Sequence, residues 1–429
     1  MPQSSRAASA FIAETIAIGS ELLVGGRSDS NSLYITEALG RLGYEVRFKS
    51  IVGDEKDDIR NTLSHAVGRA GVIVITGGLG PTVDDCTREA VAAATGMRLA
   101  RRKQALESMM ARLAQWGRTP NAGQLRQALI PSGATVVTNP VGSAPGFLLS
   151  WKGAIVIALP GVPSEMESMM KESVIPFLDA RATRAREARP EPITRLLFHT
   201  WGLAEADVDA KLAGLLPKRS AVDLGLLASP TGVLVSLTTK AQSTVGEEGF
   251  AGLAAGVRTR LGDWLYAEGQ ETMESVVGRL MTERKLTVAT AESCTGGLIG
   301  HRLTQVPGSS AYVDRGVICY SNRAKIDLLG VPPELIEQYG AVSAEVAAAM
   351  AQGIRERAGV SVGLSVTGIA GPGGATPTKP VGLVHTGLNA EGGTVTKEHR
   401  FHGDRSVIKQ RASQAALDLL RRYITKGAT

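Results

Sequence analysis

The hydrophobic positions in the first 170 residues alternate between short apolar runs and stretches with helical spacing. Apolar or alternating runs predict strands at 15–19, 46–52, 72–76 and 154–159. Apolar residues at helical spacing predict helices at 31–42, 57–70 and 84–95. Wholly apolar strands separated by helices are typical of an α/β domain with a parallel sheet covered on both faces.

The pattern changes near residue 179. The segment 180–192 is charged and lacks large apolar residues, which indicates a surface helix end or linker, although its arginines could also bind phosphate. A small α+β unit follows, with predicted strands at 194–200, 223–227 and 233–239 and helices at 204–215 and 247–261. We therefore place three domains at 1–176, 177–268 and 269–429.

The last domain again mixes strands and helices. Strands are predicted at 286–290, 312–320, 363–367 and 381–388, and helices at 273–285, 343–358 and 404–424. The predicted fold class is therefore α/β for the first and last domains, joined by the small α+β connector.

Composition, charge and cysteine spacing indicate which partners and which cellular setting to expect. Hydrophobic residues make up 43% and charged residues 21% of 429 residues, with a net charge of +6. No leader-like segment or run of about 18 apolar residues is present, so we expect no membrane partner. The three cysteines lack paired or metal-ligand spacing, which favours a reduced cytoplasmic setting. The weak basic balance without an aromatic-interleaved stripe gives no support to a nucleic-acid partner.

A serine follows the predicted strand 286–290 in the segment AESCTGG, residues 291–297. Ser293 would lie on a strand-to-helix turn, where the main-chain N–H groups of Thr295, Gly296 and Gly297 could hold an oxyanion. Two interpretations stay open at this point: Ser293 caps the following helix, or its hydroxyl is a nucleophile. Cys294 is a second candidate nucleophile, but adjacent residues on a turn point in different directions.

A serine nucleophile needs a base, and Lys325 in YSNRAK is the candidate. Burial would lower the pKa of Lys325 and make it a usable base, with Tyr320 relaying a proton or orienting it. The alternative is an ordinary surface lysine at a helix start. His301 falls inside the helix after the serine turn and is a poor candidate.

A glycine-rich loop follows the strand 363–367. Thr367, Gly368, Gly371 and Gly373 would supply N–H donors for an oxyanion or phosphate, unless the loop is only a long flexible turn. Arg405, at the start of the last helix, could bind a phosphate.

The first domain carries its own glycine-rich loops at strand ends, where open α/β sheets bind ligands. One contains Glu21. Another contains Gly78, Gly80 and Thr82, followed by the adjacent carboxylates Asp84 and Asp85. These groups could hold phosphate and a divalent cation, or the carboxylates could merely cap a helix. A third loop begins at Asn139.

The motifs GSELL, GGLGPTVDD, NPVGSAPG and LPGVPSEM occur in order across residues 13–170, and this region resembles the N-terminal domain of the CinA family. The resemblance implies a three-layer molybdopterin-binding-like fold and metal-dependent hydrolysis of the ADP-ribose pyrophosphate. It further implies a divalent metal at Asp84 and Asp85, with phosphate at Gly78, Gly80 and Thr82. Glu21 would assist the metal or ribose, and Asn139 would belong to the ligand site. Ser143 stands where threonine is more usual.

The motifs AESCTGG, VPGSSAY, YSNRAK, GAVSAE, VTGIAGPGG, KPVG and GDR across 272–424 resemble the C-terminal nicotinamide-nucleotide amidohydrolase domain of the same family. That resemblance implies hydrolysis of nicotinamide mononucleotide to nicotinate mononucleotide and ammonia, without a cofactor in this domain. Ser293 would be the nucleophile, Lys325 the base and Tyr320 an assistant. The loop 371–374 and Arg405 would bind the phosphate. The family also implies a homodimer. The alternatives are a non-catalytic pterin- or nucleotide-binding module and an interaction protein of competence or recombination.

Overall fold

The computed structural model describes residues 10–184, 191–217, 220–239 and 246–426. The chain separates into two compact units, one formed by 1–194 with 238–244 and the other by 195–237 with 245–429. Each unit is treated by itself below.

The first unit is built on a six-stranded sheet in the order β2-β1-β3-β8-β7-β6, in which β2, β1, β3 and β8 are parallel and β7 runs antiparallel to both of its neighbours. A separate antiparallel pair is formed by β4 and β5. The strands are β1 Ile12–Ile18, β2 Glu45–Val52, β3 Val72–Thr76, β4 Leu99–Arg101, β5 Leu129–Pro131, β6 Thr135–Val137, β7 Gly146–Trp151 and β8 Ala154–Leu159. The helices are α1 Ser20–Leu23, α2 Ser30–Arg41, α3 Lys56–Val67, α4 Thr87–Thr95, α5 Lys103–Gln115, α6 Ala122–Arg126, α7 Pro163–Met169 and α8 Ile175–Arg184, with a π-helical turn Met170–Val174 between α7 and α8.

Helices cover both faces of this sheet. β3 and β8 are buried along their whole length, as their uninterrupted apolar sequences predict. One core packs α3 and α4 against the sheet, and a second packs α2, α7 and α8 against the opposite face. The three-layer α/β prediction for this domain is confirmed.

The second unit begins with a four-stranded sheet in the order β10-β11-β9-β12. Its strands are β9 Arg195–Thr200, β10 Val222–Ser229, β11 Gly232–Thr239 and β12 Leu265–Glu268, and its helices are α9 Glu205–Leu212 and α10 Glu247–Leu261. Phe198, Val235 and Val257 lie in one apolar cluster between the sheet and the helices. This arrangement is the small α+β connector expected from the sequence.

The rest of the second unit contains a five-stranded sheet in the order β14-β13-β15-β16-β17. β14, β13 and β15 are parallel, whereas β16 and β17 continue the sheet antiparallel. The strands are β13 Val288–Glu292, β14 Val313–Ile318, β15 Val362–Gly368, β16 Leu383–Ala390 and β17 Gly393–Arg400. The helices are α11 Met273–Glu283, α12 Leu298–Thr304, α13 Asn322–Leu329, α14 Pro333–Tyr339, α15 Ala344–Ala358 and α16 Arg405–Lys426.

Several predicted boundaries need correction. The helix predicted at 84–95 begins only at Thr87, so Asp84 and Asp85 lie in the loop before it. The strand predicted at 286–290 lies two residues later, at Val288–Glu292. Part of the predicted linker is helical as far as Arg184, and its residues 185–190 lie outside the described residues. Strand β17 was not predicted because its exposed sequence carries no clear apolar alternation.

Candidate active site

Three parallel strand ends place the candidate groups at one edge of the second unit's large sheet. Glu292 at the end of β13 pairs with Ile318 of β14 and with Val366 of β15. Adjacent residues of an extended chain point to opposite faces of a sheet, so the side chains of Glu292 and Ser293 face different helices. Glu292 contacts α12, while Ser293 contacts α13.

Ser293 is almost fully buried, at 7% exposure, and its N–H donates to Val366 O at 2.9 Å. The turn after it uses Gly296 and Gly297, both with positive φ of 64° and 96°, a region that favours glycine. Helix α12 starts after Gly297, which is its N-cap residue. The capping interpretation of Ser293 is therefore wrong, and its hydroxyl is free for another contact.

That contact is with Lys325, which is only 1% exposed. Its Nζ lies 3.1 Å from Ser293 Oγ, 2.9 Å from Cys319 O and 3.3 Å from Tyr320 O. Burial lowers the pKa of Lys325 below that of an ordinary lysine. A neutral amine at this distance can accept the serine proton, so the pair has the geometry of a nucleophile and its base.

Glu292 occupies the N-terminus of α12. Its buried carboxylate accepts hydrogen bonds from the N–H groups of Gly297 and Ile299 at 3.0 Å and of Gly300 at 2.8 Å. The negative charge of this carboxylate also interacts favourably with the positive N-terminal end of the helix dipole. The prediction that Gly297 donates to an oxyanion needs correction, because its N–H is already used. The sequence offered no separate signal for this glutamate beyond its place beside the serine.

The N–H of Gly296 donates to Ser293 O. Within the described residues, the N–H groups of Cys294 and Thr295 have no acceptor in another residue. Thr295 is fully buried, and its Oγ1 also has no partner among these residues. The oxyanion donors that remain in this turn are therefore those of Cys294 and Thr295.

Tyr320 and Arg405 lie together at the rim of the site. The phenol oxygen of Tyr320 accepts a hydrogen bond from Arg405 at 2.9 Å, and Arg405 also donates to Gly371 O at 2.7 Å. Tyr320 reaches Lys325 through its carbonyl oxygen only. The prediction that the Tyr320 side chain orients the lysine needs correction, because the phenol bonds Arg405 instead; the residue is 60% exposed.

The glycine-rich loop closes the same edge. Thr367 is buried and its hydroxyl donates to Ala341 O at 2.7 Å, so it is committed to the fold. A side chain at Gly368 would collide with β16, and Gly371 has a φ of 79°. Gly373 is exposed with open space around it. Gly371 is buried, so Gly373 is the one of these predicted residues that is exposed to a ligand.

Cys294 belongs to the apolar core formed by α11, α12, α16 and the sheet. Burial raises the pKa of its thiol to about 12. The thiolate is the reactive form of cysteine, so Cys294 is no nucleophile near neutral pH. The prediction that it packs as a small apolar residue is confirmed.

For the amide hydrolysis expected from the sequence, Cys294→Ala should change kcat by less than about threefold, with a modest loss of stability of about 1 kcal/mol from lost packing. Ammonia release and thermal unfolding measure the two effects separately. A loss of more than 100-fold in kcat with an intact fold would contradict the assignment of Ser293.

The candidate ligand site of the first unit lies at the carboxyl ends of its parallel strands. A cavity of about 370 Å³ is lined by residues of the first and fourth motifs, Glu21 among them, and by residues of the segment 26–31, among them Arg27, Asp29 and Asn31. Asn31 is buried and its Oδ1 has no partner among the described residues. The sequence analysis found Glu21 but missed 27–31, because small polar residues at a helix start are also typical of capping.

The GGLGPTVDD loop is held by its own side chains. Thr82 donates to Asp85 from its N–H, at 2.9 Å, and from its hydroxyl. A side chain at Gly80 would collide with Asp85, and one at Gly78 with Thr87. Asp84 is exposed to solvent. Asp85 therefore shapes the loop, and Asp84 is the carboxylate that is free to face a ligand.

Asn139 lies in a neighbouring turn. Its Oδ1 accepts from the N–H groups of Val141 and Gly142, and its amide donates to Glu165 at 2.6 Å. Burial raises the pKa of Glu165. Asn139 thus joins the third motif to the fourth and shapes the loop.

Across the part of the chain that the structure describes, no three His, Cys, Asp or Glu side chains converge as a metal site. The oxygen donors of Asp84 suit Mg²⁺, which usually keeps several waters and takes its remaining ligands from substrate phosphates. The predicted metal site at Asp84 and Asp85 needs correction for Asp85, which accepts from Thr82, while a divalent ion at Asp84 stays a prediction.

The chain is similar to known protein families over most of its length. Family models match residues 14–180 ("Probable molybdopterin binding domain"), 195–267 ("Damage-inducible protein CinA KH domain") and 270–424 ("CinA C-terminal domain"). A CinA-like protein of Koribacter versatilis is 41% identical over 421 residues, covering 96% of this chain and all of its own length. The chain belongs to the CinA family. Another CinA-like protein, of Geotalea uraniireducens, is 40% identical and covers 96% of this chain and 97% of its own.

Among solved structures, the competence/damage inducible protein CihA of Agrobacterium tumefaciens is 44% identical over 34% of this chain and 93% of its own, with a TM-score of 0.34. Within the described residues of this CinA protein, no helix is both long and apolar enough to span a membrane.

Proposed function

We propose that the last domain hydrolyses the carboxamide of nicotinamide mononucleotide, yielding nicotinate mononucleotide and ammonia. The observation that carries the proposal is the buried contact between Lys325 Nζ and Ser293 Oγ at 3.1 Å. Lysines are rarely buried unless they are paired, and this one is held by two main-chain carbonyls against a serine hydroxyl.

In this mechanism Ser293 Oγ attacks the amide carbon while neutral Lys325 takes the hydroxyl proton. The negative charge on the amide oxygen is stabilised by the N–H groups of Cys294 and Thr295. Lys325 then returns the proton to the leaving nitrogen, ammonia departs and an acyl-serine ester remains. Water, deprotonated by Lys325, attacks the ester, and the proton returns to Ser293 as the acid product leaves.

For the first domain we propose metal-dependent cleavage of the ADP-ribose pyrophosphate by water to AMP and ribose 5-phosphate. The glycine loop would supply main-chain N–H groups for phosphate, and the exposed Asp84 would supply an oxygen ligand for a divalent ion, whose charge would neutralise the phosphates. Asp85 keeps the loop in shape through Thr82. Together the two reactions would make a cytoplasmic, homodimeric enzyme of pyridine-nucleotide recycling.

Asp84→Ala is expected to lower AMP release from ADP-ribose by at least roughly 10- to 100-fold, the effect typical of losing a group that supports a metal. Asp58→Ala, which removes an exposed carboxylate of α3, is the matched control. AMP is measured with Mg²⁺, with Mn²⁺ and with a chelator. Unchanged hydrolysis in Asp84→Ala would contradict the metal role, and ADP-ribose binding without AMP formation would indicate a binding module.

A further inference from the structure

Besides Arg405, a second basic side chain, that of Lys409, lies beside the turn that follows Ser293. Helix α16 starts at Arg405, and its first turn is capped by Asp404, whose Oδ1 accepts from Val407 N at 2.9 Å. Ile408 is buried in the core, which fixes the rotation of the helix. Residues four apart share a helix face, so Lys409 lies one turn beyond Arg405 on the same side.

Lys409 reaches the turn that follows Ser293. A Cβ added at Gly296 would lie 3.7 Å from Lys409 Nζ. Because Gly296 has no side chain, the ammonium approaches the main chain of the turn directly. Lys409 is also close enough to Cys294 for its charge to act on that thiol.

Arg405 and Lys409 differ in the hydrogen bonds that they already make. Arg405 donates to Gly371 O and to the Tyr320 phenol. Lys409 is half-buried and forms no hydrogen bond or ion pair with any residue in 10–184, 191–217, 220–239 or 246–426. A partly desolvated ammonium is stabilised by an anion, and this one has none within the described chain.

We propose that Lys409 binds the phosphate of the substrate together with Arg405, and that it makes the site specific for phosphorylated nicotinamide compounds. The proposal rests on the amidohydrolase function above and adds the residue that selects mononucleotide over nucleoside. Arg405, positioned by Tyr320 and the glycine loop, supplies a planar donor pair, while Lys409 supplies a mobile point charge.

Lys409→Met keeps the length of the side chain and removes its charge. We expect KM for nicotinamide mononucleotide to rise about tenfold or more, the usual effect of losing a charged hydrogen bond, with kcat changed less than about threefold. Hydrolysis of nicotinamide riboside, which lacks the phosphate, should be unchanged, and Lys409→Arg should restore most of the affinity. Lys397→Met, at an exposed lysine of β17, is the matched control.

Binding is measured in parallel in the Ser293→Ala background, where turnover does not interfere. The added Lys409→Met change should weaken nicotinamide mononucleotide and leave nicotinamide riboside as it was. An unchanged affinity for the mononucleotide, or an equal loss for both compounds, would overturn the role of Lys409. Absence of ammonia release by the unsubstituted protein would instead overturn the amidohydrolase function, so the two failures are distinct.

Discussion

Ser293→Ala is expected to lower kcat for ammonia release from nicotinamide mononucleotide by about 10³-fold or more, because the group that forms the acyl intermediate is removed. The neighbouring thiol cannot replace it, since Cys294 is turned into the core and burial raises its pKa to about 12. Lys325 keeps the carbonyls of Cys319 and Tyr320 as acceptors, so the fold should be retained.

The control for Ser293→Ala is a residue that does cap a helix. Thr272 accepts from Ser275 N at the start of α11, and Thr272→Ala should cost about 1 kcal/mol of stability with no loss of kcat per folded molecule. Circular dichroism and thermal unfolding compare the two variants. Equal activities of Ser293→Ala and the unsubstituted protein would show that the serine is not the nucleophile.

Lys325→Met is expected to lower kcat/KM by about 10²- to 10⁴-fold, the usual contribution of a positioned base. The pH dependence of kcat/KM tests the role of Lys325 more specifically than this loss does. Only the neutral amine accepts the serine proton, and burial lowers the pKa of Lys325. Activity should therefore fall as the pH drops through that lowered pKa, at a pH below the ordinary value of a lysine, about 10.4.

The residual activity of Lys325→Met should lack this limb of the pH profile, and Lys325→Arg should be inactive because a guanidinium stays protonated. The profile of kcat/KM from pH 5 to 10 is the measurement. The same ascending limb in Lys325→Met would assign the titration to another group and contradict the role of Lys325.

The sequence predicts the central strands of the large sheets well because they are largely apolar and buried. The wholly apolar sequences of β3 and β8 predict central strands, and β13 is predicted to within two residues. The last strands are harder to predict, since β17 lies at an edge and its exposed positions carry no apolar signal.

For the site, the sequence predicts which residues matter better than what each one contacts. Ser293 and Lys325 lie 32 positions apart, and only the register of β13 with β14 brings them together. The hydrogen bonds from the first N–H groups of α12 to Glu292 depend on the direction of that side chain, which residue spacing alone does not specify. Lys409 was missed for the same reason: it reaches the turn through the packing of α16.

The central claim is that this buried serine–lysine pair hydrolyses the amide of nicotinamide mononucleotide. The most direct test incubates the purified full chain with that nucleotide and quantifies ammonia and nicotinate mononucleotide together, beside Ser293→Ala and Thr272→Ala. We expect equal amounts of both products from the unsubstituted protein and from Thr272→Ala, and none above background from Ser293→Ala. No ammonia from the unsubstituted protein, or undiminished ammonia from Ser293→Ala, would contradict it.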